Sequence, residues 1–411
     1  MNSEGKIKHR LGIYLKTFIG KNSYISAQIP LMKKLITVLF ICSEILISCS
    51  VTHRVNQQKA VLINSLKYLG GYVVPYNLPF TETTVGGLSG IDYDSLHQLY
   101  YIISDDRSDI NPARFYTAKI NFTQSGIDTV QFVNVTTLLR KNRIPFPSSK
   151  KDHAHSADPE AMRYNPNTNQ LTWTSEGERI VKKDTILQDP SVTIINTDGK
   201  YIDTFPLPPQ MHMYATEKGF RQNSVFEGLT FADNFKKMYV SVEEPLYEDG
   251  PRAGLKDTVT WIRIIKYDVA THEPIAQYAY HISPVAHPST PPDEFKINGI
   301  PDILYIGGNK LIVIERSFST GIQACTIRVY IVDLKKASNI AGTASLTQQP
   351  PAHPVNKKLL LNMDDLGIYI DNIEGVTFGP DLPNGHKTLI FVSDNNFSKQ
   401  QKTQFLLFEV L

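Results

Sequence analysis

Short runs in which apolar and polar residues alternate recur along most of the chain, and this period of two predicts β-strands. The clearest runs occupy residues 115–120, 192–196, 262–267 and 326–332. They are rich in β-branched and aromatic residues, and turns such as Asn196-Thr-Asp-Gly199 bound them. No long stretch has a convincing helical period, so the pattern favours an all-β fold over alternating strands and helices.

One weak sequence pattern occurs five times, and its copies begin roughly seventy residues apart. In each copy a short strand opens with a small or acidic pair, and after a turn an apolar strand ends in acidic residues. The five openings are Gly87-Leu-Ser-Gly-Ile-Asp92, Asp158-Pro-Glu-Ala-Met162, Phe226-Glu-Gly-Leu-Thr-Phe231, Ile297-Asn-Gly-Ile-Pro301 and Ile373-Glu-Gly-Val-Thr-Phe378. With the alternating runs between them, each copy predicts a sheet of about four strands.

Repeated four-stranded sheets that close into a ring are the blades of a β-propeller. We therefore predict an all-β fold, a β-propeller of five or six blades, in which the connector at residues 141–157 leaves room for the sixth. The last copy has three obvious strands and ends at residues 405–410, while residues 68–79 offer an extra strand near the start. Pairing of this N-terminal strand with the C-terminal strands is expected to close the ring.

The beginning of the chain has the order of a signal peptide. Lys33 and Lys34 precede an apolar run at residues 35–47, and Ser48-Cys49 follows it. This ending resembles the lipobox of bacterial lipoproteins, in which the cysteine is lipidated and becomes the new N-terminus. The run of about a dozen residues is too short to span a bilayer comfortably, and an uncleaved anchor is the alternative.

Four segments follow from these patterns. Residues 1–31 are an upstream extension without a structural role, 32–48 a lipoprotein signal peptide, 49–65 a linker, and 66–411 the propeller domain. We expect an exported protein that faces the periplasm or lies on the outer membrane, held to the membrane only through lipid on Cys49. Cys49 and Cys325 are the cysteines left after processing, so no disulfide is available and the fold must rest on its core.

The composition is that of an ordinary globular protein. With 41% hydrophobic residues, 20% charged residues and a formal net charge of +2, the chain resembles neither a disordered protein nor one with a surface dedicated to nucleic acid. We expect a monomer whose partner is a small molecule and not a nucleic acid.

Acidic residues recur at the ends of the repeated strands, and in a propeller these ends converge on the central channel. We predict that ten acids form one funnel and hold a metal: Asp105, Asp106, Glu160, Glu176, Glu227, Glu243, Glu244, Glu315, Glu374 and Asp394. So many like charges in close quarters need cations. Ca²⁺, or another divalent metal, is the expected cofactor because it accepts several carboxylate oxygens.

Arginines are the second source of positive charge, because Arg107, Arg179 and Arg316 each follow an acid at an equivalent place. A guanidinium group binds phosphate through two parallel hydrogen bonds. These three side chains are therefore candidates for binding an anionic substrate. The alternative is that arginines and acids brace neighbouring blades as structural ion pairs.

The segment at residues 152–160 places two histidines and three acids just before the second inner strand. His155 and Glu160 are the candidate catalytic residues, since imidazole and carboxyl groups serve as general acids and bases. The alternative is a polar surface loop. The chain has no Gly-x-Ser-x-Gly motif, no P-loop and no His-Glu-x-x-His motif, which leaves catalysis by a metal or by carboxylates open.

Four motifs occur in order along the chain: Ser104-Asp-Asp-Arg107, Asp158-Pro-Glu160, Phe226-Glu-Gly228 and Asn372-Ile-Glu-Gly375. Together they resemble the phytase-like family, often labelled "esterase-like activity of phytase", over residues 86–411. The resemblance implies a propeller that hydrolyses phosphoesters, with Ca²⁺ held by channel carboxylates. The chain lacks the dense lysine cluster that a highly phosphorylated substrate favours, so myo-inositol hexakisphosphate is not the expected substrate.

The motifs together predict a Ca²⁺-dependent hydrolase that acts on a small-molecule ester or phosphoester in its acidic funnel. A non-catalytic propeller that binds a ligand or a protein is the alternative. The alternative predicts arginines that are all consumed by internal ion pairs, whereas an enzyme requires acids that are left for a metal.

Overall fold

The computed structural model describes residues 60–322 and 324–411. The predicted upstream extension, the signal peptide, Cys49 and the linker up to residue 59 lie outside the described residues. Within the described ranges the helices are two short 3-10 turns, Tyr247–Asp249 and Met363–Leu366. No helix there has the length and apolarity needed to cross a bilayer. The prediction of an all-β fold is confirmed.

The strands follow one another in the order of the repeats. An N-terminal strand and a short hairpin come first: β1 (Leu66–Val74), β2 (Pro79–Phe80) and β3 (Thr83–Thr84). The first copy contains β4 (Leu88–Asp94), β5 (Leu99–Ser104), β6 (Arg114–Thr123) and β7 (Gly126–Thr137). The second contains β8 (Pro159–Asn165), β9 (Gln170–Ser175), β10 (Glu178–Ile180), β11 (Ile186–Gln188), β12 (Ser191–Asn196) and β13 (Tyr201–Phe205).

The remaining copies complete the chain. The third contains β14 (Phe226–Ala232), β15 (Lys237–Val242), β16 (Trp261–Asp268) and β17 (Pro274–His281). The fourth contains β18 (Lys296–Gly299), β19 (Ile303–Gly307), β20 (Lys310–Ser319), β21 (Thr326–Asp333) and β22 (Asn356–Asn362). The fifth contains β23 (Asn372–Gly379), β24 (Thr388–Asp394) and β25 (Thr403–Val410).

Each copy forms one antiparallel sheet of four or five strands, and these five sheets form a ring in the described chain; β10 and β11 of the second copy pair as a separate two-stranded sheet. In the fourth sheet the innermost strand is split, so that β18 and β19 both pair with β20. The innermost strands β4, β8, β14, β19 and β23 contact one another in that cyclic order. The propeller therefore has five blades. Residues 141–157 hold no sixth blade, because they form turns and a single isolated bridge, Leu139↔Pro145.

Strands from both ends of the described chain close the ring, as predicted. β1 pairs antiparallel with β25, from Leu66↔Val410 to Val74↔Thr403, so the fifth sheet has the order β23-β24-β25-β1. The N-terminal strand thus covers the edge of β25, which would otherwise present unpaired backbone groups.

The hydrophobic core lies between neighbouring blades. Ile91 of the first blade and Val392 of the fifth are fully buried in one shared cluster. At the axis the inner strands come so close that small residues are required. A Cβ atom on Gly228 would lie 2.8 Å from the backbone nitrogen of Ile303 in the next blade.

A second contact between the inner strands is a buried ion pair, separate from the acidic residues at the strand ends. Arg163 of β8 donates to both carboxylate oxygens of Asp302, at 2.9 and 2.7 Å, and both side chains are almost fully buried. The same guanidinium donates to the carbonyl oxygens of Ile91, Ile303 and Val376, which belong to three other blades. Four of the five blades are therefore tied together through one side chain.

Candidate functional site

The register of the inner strands explains why the repeated polar residues meet. In every blade, two apolar residues lie directly opposite each other on the two innermost strands. The pairs are Ile91↔Ile102, Met162↔Trp173, Leu229↔Val240, Ile303↔Val313 and Val376↔Phe391. Three residues beyond the second member of these pairs lie Asp105, Glu176, Glu243, Arg316 and Asp394. Equivalent positions on the five blades therefore present four carboxylates and one guanidinium.

The innermost strands contribute a second set of polar residues. Two residues before the first member of each pair lie Ser89, Glu160, Glu227, Pro301 and Glu374. In the four blades other than the fourth, a register shift falls within or beside this stretch, and such bulges re-aim side chains. Three blades thus add a second carboxylate, and Asp158 immediately precedes β8.

These residues surround a funnel, a cavity of about 820 Å³ at one end of the ring of inner strands. The acids that line it are Asp105, Asp158, Glu160, Glu227, Glu243 and Glu374. Among the described residues its basic lining consists of Arg107, Arg252 and Arg316, and no lysine lines it. Acidic side chains therefore outnumber basic ones around the cavity.

Eight carboxylates form three groups in which the oxygen atoms lie within 4.8 Å of one another. The groups are Asp105 with Glu374 and Asp394, Asp158 with Glu160 and Glu176, and Glu176 with Glu227 and Glu243. Because Glu176 belongs to two of them, those two are continuous. Seven of the eight residues are less than one-tenth exposed, and Asp105 is half-buried.

Local backbone features hold several of these carboxylates. Glu176 Oε1 accepts a hydrogen bond from the backbone nitrogen of Val225 at 2.6 Å. Gly87 has a φ of +61°, and a Cβ there would lie 2.1 Å from Asp105 Oδ1. Glycine therefore permits both the left-handed backbone and the space for this carboxylate.

Arg316 neutralises part of the acidic charge. Its Nη2 donates to Glu243 Oε1 at 2.5 Å and its Nη1 donates to Asn372 Oδ1 at 2.7 Å. Nη1 also lies 3.4 Å from Glu374 Oε1. Burial opposes the charge, but the carboxylates of Glu243 and Glu374 outweigh it and raise the pKa of Arg316. Its buried Nε has no hydrogen-bond partner among the described residues.

Burial is the largest cause of raised pKa values in the funnel. It raises the pKa of Asp158 to about 7, that of Asp394 to about 6 and that of Glu374 to about 8. The pKa values of Glu160 and Glu227 are raised well above the ordinary range by burial and then by neighbouring carboxylates. Carboxyl groups in this environment either hold protons or bind a cation.

Two arginines lie at the rim of the funnel. Arg107 Nη2 donates to Glu178 Oε2 at 2.7 Å, and its Nη1 lies 3.5 Å from Asp158 Oδ2. Arg252 Nη1 lies 2.6 Å from Glu244 Oε2. Arg107 and Arg316 therefore both line the funnel, with both guanidinium groups already engaged by acids.

Three of the ten acids predicted to converge lie elsewhere, namely Asp106, Glu244 and Glu315. Each is the sequence neighbour of a residue that does face the funnel. Glu315 lies in β20, where adjacent side chains point to opposite sides, whereas Asp106 and Glu244 lie just beyond the ends of β5 and β15. Asp106 accepts from Arg114 Nη1 at 2.7 Å and caps the loop after β5. The expectation of one ring of ten acids is therefore corrected. The funnel has the eight carboxylates of the three groups, and seven of these eight belong to the predicted set.

The other two misplaced acids have partners of their own. Glu244 accepts from the hydroxyl of Ser224 and pairs with Arg252. Glu315 accepts from Lys357 Nζ at 2.6 Å and from the hydroxyl of Tyr280 at 2.7 Å. Both acids act as links between loops or blades, which is the structural alternative considered for the repeated charges.

Arg179 and His155 also lie away from the funnel. Arg179 donates to the carbonyl oxygens of Tyr214 and Thr216 at 2.8 and 3.1 Å. His155 is exposed, and its Nδ1 lies 2.9 Å from Asp152 Oδ1 in the same loop. Neither residue occupies the position equivalent to Glu176, which faces the funnel. His155 therefore fits the alternative of a polar surface loop.

Two residues of the site were absent from the predicted metal and anion ligands. Asp158 is the first residue of the Asp158-Pro-Glu160 motif that opens the second predicted copy. Arg252 lies in the loop between β15 and β16, and a loop carries no strand period that would have indicated its position.

The closed ring and the shared carboxylates define a five-bladed β-propeller with an acidic site at one end of its channel. The chain belongs to the phytase-like family, described as esterase-like activity of phytase, whose match covers residues 83–397. The resemblance drawn from the repeated motifs is thereby confirmed. No curated protein matches the chain in sequence.

Several solved structures are distantly similar to the chain. The periplasmic gluconolactonase of Pseudomonas aeruginosa is 9% identical with a TM-score of 0.33, over 80% of this chain and 86% of that one. A gluconolactonase from Xanthomonas campestris is 9% identical with a TM-score of 0.33, over 86% and 95%. A mannose phosphorylase from Leishmania mexicana, in complex with phosphate, is 12% identical with a TM-score of 0.36, over 85% and 88%.

Proposed function

We propose that the protein is an exported, lipid-anchored hydrolase that acts on small esters, above all phosphoesters, with Ca²⁺ or another divalent metal in its funnel. The observation that carries the proposal is the set of eight carboxylates whose oxygens approach within 4.8 Å in three groups. Three arginines around the same cavity leave this negative charge in excess. The anchor at Cys49 rests on the sequence of the signal segment.

The donor set fits a hard divalent cation. All ligand atoms of the three groups are carboxylate oxygens, which Ca²⁺ prefers and which it accepts in variable number and geometry. Glu176, Glu227 and Glu243 are the residues expected to hold it, with the group around Glu374 as a second position. A bound divalent cation would polarise the ester and supply a more acidic water.

The chain's own residues bind and orient the substrate. Arg316 is held in place by Glu243 and Asn372, so its guanidinium presents a fixed positive charge to an anionic oxygen without rearrangement. Glu160 is buried, and burial followed by neighbouring carboxylates raises the pKa of its carboxyl group, which favours the protonated form. This carboxyl group is therefore suited to protonate the oxygen of the leaving group.

One observation favours the binding module as a second candidate. Arg107 and Arg316 are both engaged in internal ion pairs, and Arg179 is consumed by carbonyl oxygens outside the funnel. The hypothesis of a non-catalytic binding module predicts that the arginines are consumed by internal ion pairs, and two of the three are. The surplus of carboxylates favours the enzyme, because internal pairing requires no more acids than there are cations.

The test is hydrolysis of a chromogenic panel by the purified protein. The panel contains a phosphomonoester, a phosphodiester and a carboxylester, each measured with Ca²⁺ and with chelator. We expect turnover of a phosphoester that chelator removes and Ca²⁺ restores. A folded protein that hydrolyses no member of the panel would refute the hydrolase and support the binding module.

Glu227→Gln tests the assignment within the same assay. The substitution keeps the size of the side chain and removes one charged ligand, so we expect turnover to fall by about 100-fold or more with the fold intact. The matched control is Glu315→Gln, which changes a buried glutamate outside the funnel, and it should retain most of the activity. Equal activity of Glu227→Gln and the wild-type protein contradicts the role of Glu227.

A further inference from the structure

One wall of the funnel is apolar and comes from the fourth blade. Phe295, Ile297, Phe318 and Ile322 line the cavity together with the carboxylates. Phe295 is 55% exposed, and its ring centroid lies 6.2 Å from that of Phe318. The funnel is therefore two-sided, with carboxylates on the other blades and a hydrophobic strip on this one.

Strand geometry aligns this strip with Arg316. Ile297 and Phe318 face each other directly across β18 and β20. Side chains two residues apart on a strand share a face, so Phe295 lies beside Ile297 and Arg316 lies beside Phe318. At a strand rise of about 3.3 Å per residue, the guanidinium and the phenyl ring originate roughly 7 Å apart along one line. The charged end of this line is Arg316, and the apolar end is formed by Phe318 and its neighbours.

The backbone holds the exposed phenylalanine in position. The carbonyl oxygen of Phe295 accepts two hydrogen bonds from Thr320, from its backbone nitrogen at 2.9 Å and from its hydroxyl at 3.0 Å. The side chain is thus kept at the funnel mouth, although 55% of its surface faces solvent. Exposed apolar surface that is continuous with a polar cavity is typical of ligand-binding sites.

We propose that the substrate is an amphiphilic monoester, whose ester head lies at Arg316 and the carboxylate groups and whose alkyl or aryl group lies on Phe318, Ile297 and Phe295. This inference deepens the proposed hydrolase function and rests on it for the identity of the head. The apolar strip would select substrates by their alkyl or aryl group.

The experiment measures binding separately from turnover. Affinities of methyl-, butyl- and hexylphosphonate are determined by calorimetry in the presence of Ca²⁺, and the hydrolysis of alkyl phosphomonoesters of the same lengths is followed in parallel. In the wild-type protein we expect affinity to rise about two- to fourfold for each added methylene group that is buried. Phe295→Ala should reduce hexylphosphonate affinity about tenfold and leave methylphosphonate affinity unchanged.

Phe318→Ala provides a second variant with the same expected effect, checked for folding by thermal unfolding. The matched control is Phe235→Ala, which removes a half-buried phenylalanine from the hairpin between β14 and β15, outside the funnel lining. Affinity that does not depend on chain length, or absence of binding by every phosphonate, overturns the inference. Length-dependent binding without hydrolysis supports the apolar tail site and refutes the hydrolase. Hydrolysis without length dependence supports the hydrolase and refutes the apolar tail site.

Discussion

Protons and the proposed metal would compete for the same carboxyl groups in the funnel. Burial raises the pKa of Asp158 to about 7 and that of Glu374 to about 8, from ordinary values of 3.8 and 4.5. Between those ordinary values and the raised ones, the folded protein binds more protons than the unfolded chain. Without metal, the free energy of unfolding therefore falls as pH rises from about 4 to about 8.

Thermal unfolding between pH 5 and pH 8 measures this effect. In chelator we expect the Tm to fall as pH rises, and in Ca²⁺ we expect a smaller fall or an increase, because the cation replaces the protons. Glu374→Gln should make the Tm in chelator less dependent on pH. A Tm in chelator that rises over this range would contradict the assignment of protonated funnel carboxyls.

Adjacent residues with the same chemistry have different roles in this protein. Glu243 faces the funnel and pairs with Arg316, whereas Glu244 is directed to Ser224 and Arg252. The same division separates Asp105 from Asp106. Since the two members of each pair are adjacent and carry the same carboxyl group, residue type alone was insufficient to choose between them.

At the scale of the strands, β1 is the element on which ring closure depends. It pairs with β25 along its length, and the fifth blade has only three other strands. We expect a chain beginning at Pro75 to unfold at a markedly lower temperature and to aggregate, because the edge of β25 becomes available for intermolecular pairing. The control is a chain beginning at Ala60, which retains β1.

Light scattering and thermal unfolding of the two chains, compared with the full chain, provide the measurement. If the chain without β1 stays monodisperse and keeps the Tm of the control, the closing strand does not contribute as inferred. The pairing itself was predictable, because the last repeat was one strand short and the first repeat was preceded by an extra one.

The fourth blade departs most from the repeat. Its innermost strand is split into β18 and β19, and Arg316 stands where the other blades carry Asp105, Glu176, Glu243 and Asp394. One guanidinium among four equivalent carboxylates, with an apolar strip beside it, makes the funnel asymmetric. A fivefold-repeated fold thereby acquires a single preferred direction for a ligand.

At the scale of the whole molecule, the proposed lipid anchor decides where the propeller acts. We expect the full chain expressed in a bacterium to remain with the membranes after an alkaline wash, since lipid on Cys49 would hold it there. Cys49→Ala should move the protein to the soluble fraction. Cys325→Ala, which changes a buried cysteine of the propeller, is the control and should leave the fractionation unchanged. Equal partitioning of the wild-type and Cys49→Ala proteins contradicts the anchor.

The amino-acid sequence by itself determined the all-β class, the repeat, the closure by the N-terminal strand and most of the acids at the site. The class and the repeat are local features, because alternation and turn residues are decided by near neighbours in the chain, and the closure followed from the strand missing in the last repeat. Tertiary structure decided that there are five blades, that Glu243 rather than Glu244 faces the funnel, and that Arg316 takes the place of an acid. It also brought Phe295 and Phe318 beside the carboxylates. These outcomes depend on the register between strands, on bulges and on contacts between blades, which no short stretch of sequence contains.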